Sequence, residues 1–172
     1  MILALAPATV VGWAHCEPGG EVTFGATRMG ALGSELGASA ADFEDWLTEK
    51  VQLIDPVWIV YESVYLPNYP NPGMIRKLVT FAGIIEMVAY RFRRPCREFV
   101  TSQVAKHFTG QGRWPGGRAG KKAACRRTCE RYGFTVTTDD EADAIAVLML
   151  AESVLYPSAA AKRQAGPLFQ RG

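Results

Sequence analysis

The sequence lacks the features that most readily assign a chain to a class. No apolar run reaches the roughly 18 residues that a membrane span needs. The apolar opening, residues 1–11, has no basic leader and is interrupted by Pro7, so we expect no signal peptide. No CxxC pair occurs, and we expect reduced, buried thiols of a cytosolic protein rather than a metal site at the four cysteines, Cys16, Cys96, Cys125 and Cys129.

Net charge is also small, because 19 Arg and Lys residues oppose 17 acids and leave a formal charge of +2. The distribution is nevertheless uneven. Residues 91–131 contain twelve Arg or Lys and two acids, about +10, so the remainder carries about −8, mostly in residues 35–62 and 139–152. A basic segment beside acidic clusters is typical of a nuclease, in which basic residues hold phosphates and acids hold metal. A solvated helix surface with no partner is the other interpretation.

The length and composition predict one globular domain. The chain has 172 residues, of which 48% are hydrophobic and 21% charged, values that suit a soluble protein with a single core. We expect the domain to span residues 1–156 and residues 157–172 to form a flexible C-terminal tail.

The hydrophobic pattern predicts an α/β domain. Strands over residues 2–5, 10–16 and 21–27 form an antiparallel meander. Helices and strands then alternate, with strands at 57–61 and 96–100 and helices at 40–53, 74–93, 102–108, 119–132 and 140–155. Ser39 and Thr101 are predicted as helix N-caps. This order of elements indicates a five-stranded mixed sheet flanked by helices.

Three acids lie where a metal-binding site would need them. Glu62 closes a predicted central strand, and ligands of open α/β sheets bind at such strand ends. Asp140 and Asp143 are spaced i,i+3 at the head of the last helix and share one face. An unpaired carboxylate at Asp143, on a largely buried helix, is costly without a metal or cation partner. We therefore predict a metal cluster of these three residues.

Helix capping is the alternative role for Asp140, Glu141 and Asp143, and the favoured one for Asp139 or Asp140 taken alone, because negative charge is favoured at a helix N-terminus. The end of the first strand, just before Pro7, is where a further acid would complete the metal cluster. The residue there is Ala6.

These residues resemble the RuvC family of Holliday-junction resolvases over about residues 1–156. The matching segments are residues 2–16, with Ala6-Pro7 where the family has Asp-Pro; 61–65, with Glu62 before a Val-aromatic pair; 95–112, with a basic residue at Lys106; 119–125, with a second at Lys122 or its neighbour Lys121; and 140–146, with Asp140-x-x-Asp143-Ala. The enlarged loop 112–120 makes phage and plasmid forms the closer match.

The resemblance implies an RNase H-like fold and a structure-specific endonuclease that resolves four-way DNA junctions by paired nicks, in recombination and repair. It also implies a homodimer in the cytoplasm of a bacterium or phage-infected cell, with no membrane association. The helix at 74–93 offers a dimer surface that includes Phe81, Met87 and Tyr90. Family members use two Mg²⁺ or Mn²⁺ ions, which Glu62, Asp140, Asp143 and an aspartate at position 6 would hold.

The same resemblance assigns roles to side chains around the acids. Lys122 would stabilise the developing phosphorane charge and Lys106 would help to seat the phosphate. Tyr65 resembles an aromatic wedge that stacks on bases at the junction centre, with packing under its loop as the alternative. Further DNA contacts are expected from Lys121, Arg113, Arg118 and Arg126.

Ala6 departs from the family pattern, because a methyl group cannot coordinate magnesium. Either the chain is a naturally inactive relative, or its aspartate was replaced so that junctions bind without being cut. The other acids and both lysines are present, which favours deliberate inactivation.

Other function classes share part of this pattern. Another RNase H-like nuclease, such as a terminase nuclease domain or a YqgF-type RNA-processing enzyme, would have a similar acid cluster. A catalytically inactive protein that binds DNA structures would have Ala6 naturally. Small actin-like or sugar-kinase ATPases share the opening meander, but they need a Gly-rich phosphate loop and a second domain, and the sequence has neither.

Overall fold

A central sheet of five strands organises the computed structural model, which describes residues 1–31, 35–64 and 71–164. The strands of this described part are β1 (Ile2–Ala6), β2 (Val10–Cys16), β3 (Thr23–Arg28), β4 (Trp58–Glu62) and β5 (Cys96–Phe99). Their order is β3-β2-β1-β4-β5; β1, β2 and β3 are antiparallel, while β4 runs parallel to both β1 and β5. The predicted five-stranded mixed sheet is therefore confirmed.

Helices cover both faces of this sheet. They are α1 (Leu36–Ile54), α2 (Pro72–Arg91), α3 (Thr101–Thr109), α4 (Gly117–Arg131), α5 (Asp139–Leu155) and α6 (Pro157–Gln164). Because side chains alternate along a strand, Ile2, Ala4 and Ala6 face a core built mainly with α3, α4 and α5, and Leu3 and Leu5 face a core built with α1 and α2. β1 is thus buried on both faces, as its continuous apolar run predicts.

Both predicted N-caps are wrong. Ser39 lies inside α1, which begins earlier, at Leu36; its buried hydroxyl group accepts a hydrogen bond from Lys77 Nζ at 3.1 Å. Thr101 is the first residue of α3 rather than its cap, and its hydroxyl group donates to the carbonyl oxygen of Ser63 at 3.2 Å. In both cases the hydroxyl group forms a hydrogen bond with a residue distant in the sequence, and not with the backbone at the start of its own helix.

The start of the predicted flexible tail is instead a helix, α6. Arg163 holds this helix against the domain, because its Nε and Nη2 atoms donate to the carboxylate of Glu152 at 2.6 and 3.0 Å. Glu152 is almost completely buried and also accepts from the backbone N–H of Gly19 at 2.6 Å. A buried carboxylate needs such partners, and this requirement explains why Arg163 of α6 docks against the domain. Residues 165–172 lie outside the described part.

The prediction of buried thiols holds for three of the four cysteines. All four are free, and Cys16, Cys125 and Cys129 are buried, whereas Cys96 is partly exposed. Burial raises the pKa of the Cys125 thiol to about 12 and that of Cys16 to about 11, so these groups stay protonated near neutral pH. Among the described helices, none is both long and apolar enough to cross a membrane.

Candidate functional site

Ala6, the last residue of β1, lies under the head of α5. It pairs with Gly12 of β2 in the antiparallel register. A Cβ atom on Gly12 would come within 1.9 Å of the carbonyl oxygen of Asp140, so only glycine lets the helix approach the sheet this closely. A glycine inside a strand is a recognised signal of close backbone approach, and Gly12 is the sequence signal that could have predicted this contact.

Glu62 is the last residue of the neighbouring parallel strand β4. The register pairs Leu5 with Tyr61, which places Ala6 and Glu62 at the next level of the ladder. Val60 belongs to the same core as Ala4 and Ala6, and Glu62, two residues further on, points to that face as well. The fold therefore brings position 6, Glu62 and the head of α5 to one place, as the sequence predicts.

The head of α5 combines capping with ion pairing. Thr138 and Glu141 form a reciprocal capping box, in which the Thr138 hydroxyl group accepts from the Glu141 N–H at 3.2 Å and Glu141 accepts from the Thr138 N–H at 3.0 Å. The capping interpretation thus holds for Glu141. Asp139 instead accepts from Lys122 Nζ at 2.8 Å and Arg126 Nε at 2.6 Å, and these hydrogen bonds lower its pKa.

Asp143 is the most perturbed acid of the site. Its pKa is raised to about 7, first by burial and then by the negative charge of Glu62, while Lys121 and Lys122 oppose the shift. Burial also raises the pKa of Asp140, again opposed by Lys122. Asp143 and Glu62 are therefore close enough to repel each other when both are ionised.

Lys121 is the cation that contacts Glu62. Its Nζ atom lies 3.4 Å from Glu62 Oε1, and the two side chains are only 20% and 14% exposed. Burial alone would lower the pKa of Lys121, but the charges of Glu62 and Asp143 outweigh it and hold that pKa above its usual value. Lys122, which the family pattern suggests first, is bound to Asp139.

The residues present do not fit a two-ion metal site. Position 6, which two ions would share, has only a methyl group, and the ammonium group of Lys121 already pairs with Glu62. Within residues 1–31, 35–64 and 71–164, no three His, Cys, Asp or Glu side chains converge closely enough to hold a metal ion. The predicted metal cluster of Glu62, Asp140 and Asp143 stays a prediction, as does a pair of ions when position 6 is aspartate.

The predicted DNA-binding residues lie in different settings. Lys106 on α3, Arg113 on the loop between α3 and α4, and Arg118 in the first turn of α4 are exposed. Arg126 is half-exposed and bound to Asp139. Tyr65 lies outside the described residues, so its role as a wedge stays a prediction.

The sheet divides the basic segment 91–131 into two parts. Arg91 pairs with Glu44 of α1 and Arg94 with Asp55 at the end of α1, on the α1–α2 face of the sheet. By contrast, α3 and α4 pack against α5 and against each other on the opposite face. The sequence did not reveal this division. Lys121, Lys122 and Arg126 of α4 are the basic residues that the structure pairs with acids of the site.

We expect Asp143→Asn to stabilise the protein at alkaline pH. The carboxyl group has a pKa of about 7 in the folded chain, against an ordinary value of 3.8, so it destabilises the fold increasingly as pH rises from about 4 to about 7. The amide keeps the shape without the charge, so its advantage should exceed about 1 kcal/mol at pH 8 and vanish near pH 4.

Urea unfolding of both chains across this pH range measures the difference. Asp42→Asn is the control, because Asp42 is an exposed residue of α1. This substitution should not change the free energy of unfolding by a comparable amount. An advantage of Asp143→Asn that is constant with pH would contradict the assignment of the shift to Asp143.

Comparison with known proteins gives matches in structure alone. No protein-family model matches the sequence, and no curated protein matches it either. Thermus thermophilus RuvC superposes with a TM-score of 0.67 at 13% identity, covering 91% of this chain and 96% of RuvC. The same protein in complex with a Holliday-junction substrate gives 0.66 at 12% identity, covering 94% and 96%. The yeast mitochondrial Holliday-junction resolvase Ydc2 gives 0.58 at 10% identity, covering 98% and 82%.

These matches show the fold. The chain has the RNase H-like α/β architecture of junction-resolving nucleases along nearly its whole length.

Proposed function

We propose that this chain binds four-way DNA junctions through the α3–α4 side of the sheet and, because position 6 is alanine, does not cut them. The observation that supports this function best is the meeting of Ala6, Glu62 and the acidic head of α5 at one point beside the lysines of α4. The RuvC-like fold, which one neighbour uses in complex with a Holliday junction, adds support.

Exposed positive charge on the α3–α4 side of the sheet would supply the contacts to phosphate. Lys106, Arg113 and Arg118 are exposed, whereas Lys121, Lys122 and Arg126 are engaged by acids of the site. The first three residues are therefore proposed to position the DNA backbone. Contacts of this kind carry affinity and orientation rather than sequence preference.

Binding to a labelled synthetic four-way junction should weaken steeply with salt. Each phosphate contact releases counterions, so log K falls with log[salt] by about 0.9 per contact. Arg113→Ala should weaken binding and reduce this slope by about 1. Gel-shift titrations at several salt concentrations, with linear duplex of the same sequence as competitor, measure both quantities.

Arg91→Ala is the matched control, because Arg91 pairs with Glu44 on the opposite face of the sheet. It should leave the slope unchanged. Equal affinity for junction and duplex would contradict junction binding, and equal slopes for the Arg113 and Arg91 variants would remove Arg113 from the DNA surface.

A homodimer is part of the proposal, since a four-way junction has near two-fold symmetry and symmetric contacts need two copies. The assignment of Phe81 to the dimer surface of α2 is wrong, because Phe81 is buried and stacks on Phe43 with ring centroids 4.4 Å apart. Met87 packs partly into the same core. Tyr90 is 84% exposed and Val79 50% exposed, so they are the apolar α2 residues proposed for the interface.

Two versions of this function differ only in whether Ala6 is the natural residue or a replacement of aspartate. A naturally inactive junction-binding protein and a deliberately inactivated resolvase would have the same structure. The codon at position 6 in the source genome distinguishes them directly. Another RNase H-like nuclease, acting on RNA or linear duplex, stays an alternative, and the duplex competitor and an RNA duplex in the same titration test it.

A further inference from the structure

The acids and cations at the head of α5 form two separate groups. In the first, Asp139 is bound by both Lys122 and Arg126, at 2.8 and 2.6 Å. In the second, Lys121 pairs with Glu62 at 3.4 Å, and Asp143 lies close enough to interact with both. The second group is the one beside Ala6, where family resemblance would place divalent metal.

Charge balance in the second group differs from that of a pocket built around divalent ions. Glu62 supplies one negative charge and Asp143 a second as it ionises, Lys121 supplies one positive charge among them, and Lys122 adds a weaker attraction from the Asp139 group. Aspartate at position 6 would add a third negative charge and exceed what one ammonium group can compensate. With alanine there, the single, largely buried ammonium group of Lys121 reduces the repulsion between Glu62 and Asp143.

We propose that Lys121 replaces the divalent cation in this chain, so that the Glu62–Asp143 pocket is held together, and the junction bound, without Mg²⁺ or Mn²⁺. The part about DNA rests on the proposed function, whereas the part about the pocket stands on the ion pair and on the methyl group at position 6. Lys121 acts here as a positioning residue for the carboxylates.

Thermal unfolding of the full chain, with EDTA or with millimolar MgCl₂ or MnCl₂, tests the pocket. The parent chain should have the same Tm in each condition. Lys121→Met, which keeps the length of the side chain but removes the charge, should lower Tm in EDTA by roughly 2–4 °C or more and should regain part of the loss with Mn²⁺. Lys121→Met/Glu62→Gln should lose the response to Mn²⁺, because the excess negative charge is gone.

Lys162→Met is the matched control, since Lys162 is an exposed residue of α6 away from the pocket. It should change neither Tm nor the metal response. The proposal is overturned if the parent Tm rises with Mn²⁺, or if Lys121→Met behaves as Lys162→Met does.

Electron paramagnetic resonance of free Mn²⁺ gives a second readout, which needs only the parent chain if Lys121→Met fails to fold. The signal should stay that of free Mn²⁺ when parent protein is added, and stoichiometric loss of the signal would overturn the proposal. Gel shifts with the junction in EDTA and in MgCl₂ complete the test. Equal affinity in both supports metal-independent binding, and affinity that needs MgCl₂ contradicts it. No binding in either condition would refute the proposed function while the Tm and resonance data still decide the role of Lys121.

Discussion

Ala6→Asp is expected to give the protein metal-dependent cleavage of four-way junctions. Position 6 faces the head of α5, next to Glu62 and opposite Gly12 in the strand register, so a carboxylate there would adjoin the acids of the predicted cluster. Hard divalent cations prefer such carboxylate sets. Loss of one group that acts in the transition state commonly costs about 10²–10³ in rate, and restoring this one should raise junction cutting by at least that factor over the parent chain.

End-labelled synthetic junctions incubated with MgCl₂ or MnCl₂ and separated on denaturing gels measure the gain. Ala6→Asn is the matched control, because it has nearly the same shape without the charge, and it should stay at the background of the parent. Robust cutting by the parent chain itself would show that the site does not depend on position 6.

Stability gives an independent check on the same substitution. Ala6 is only 6% exposed, so an aspartate there adds charge to a pocket in which Glu62 and Asp143 already repel each other. Ala6→Asp should therefore unfold at a lower temperature than Ala6→Asn in EDTA and should recover when Mg²⁺ is added. A variant that is stable in EDTA and does not cut junctions would indicate that the new carboxylate points away from the pocket.

The sequence predicts the sheet and the meeting point of the acids well, because both depend on strong local patterns. β1 has a continuous apolar run and β2 begins after Pro7, while Glu62 and Asp143 stand at ends of elements that this topology must bring together. The position of a residue at the end of a strand or helix can therefore be predicted from the sequence without knowledge of side-chain contacts.

Partner choice among the charged residues could not be predicted in the same way. Lys121 and Lys122 are adjacent on α4, and a helix turns by about 100° per residue, so they point to different acids. Which of them meets Glu62 depends on the rotation of α4 against α5, and no periodicity of the weakly amphipathic residues 117–131 fixes it. The same limit explains why the burial of Ser39 and the docking of α6 through Arg163 were missed.

Gly12→Ala is expected to destabilise the protein severely. A methyl group on Gly12 would lie 1.9 Å from the carbonyl oxygen of Asp140 and 3.3 Å from the Ala144 side chain. The first of these atoms belongs to the helix backbone, which cannot move aside as a flexible side chain can. α5 must then shift from β1 and β2, against which it packs directly, so the cost should reach the upper part of the roughly 1–3 kcal/mol range for overpacked cores or exceed it.

Gly37→Ala is the matched control, because a methyl group at Gly37, in the first turn of α1, would meet nothing within 4 Å. It should leave the free energy of unfolding unchanged or slightly higher, since alanine is the better helix former. Urea unfolding of both variants gives the comparison, and equal stability of the two would show that α5 can move away from β2 at little cost. If α5 is as fixed as the contact indicates, the acids at its head are held in place by the sheet itself. That would explain how Asp143 can stay beside Glu62 despite their repulsion.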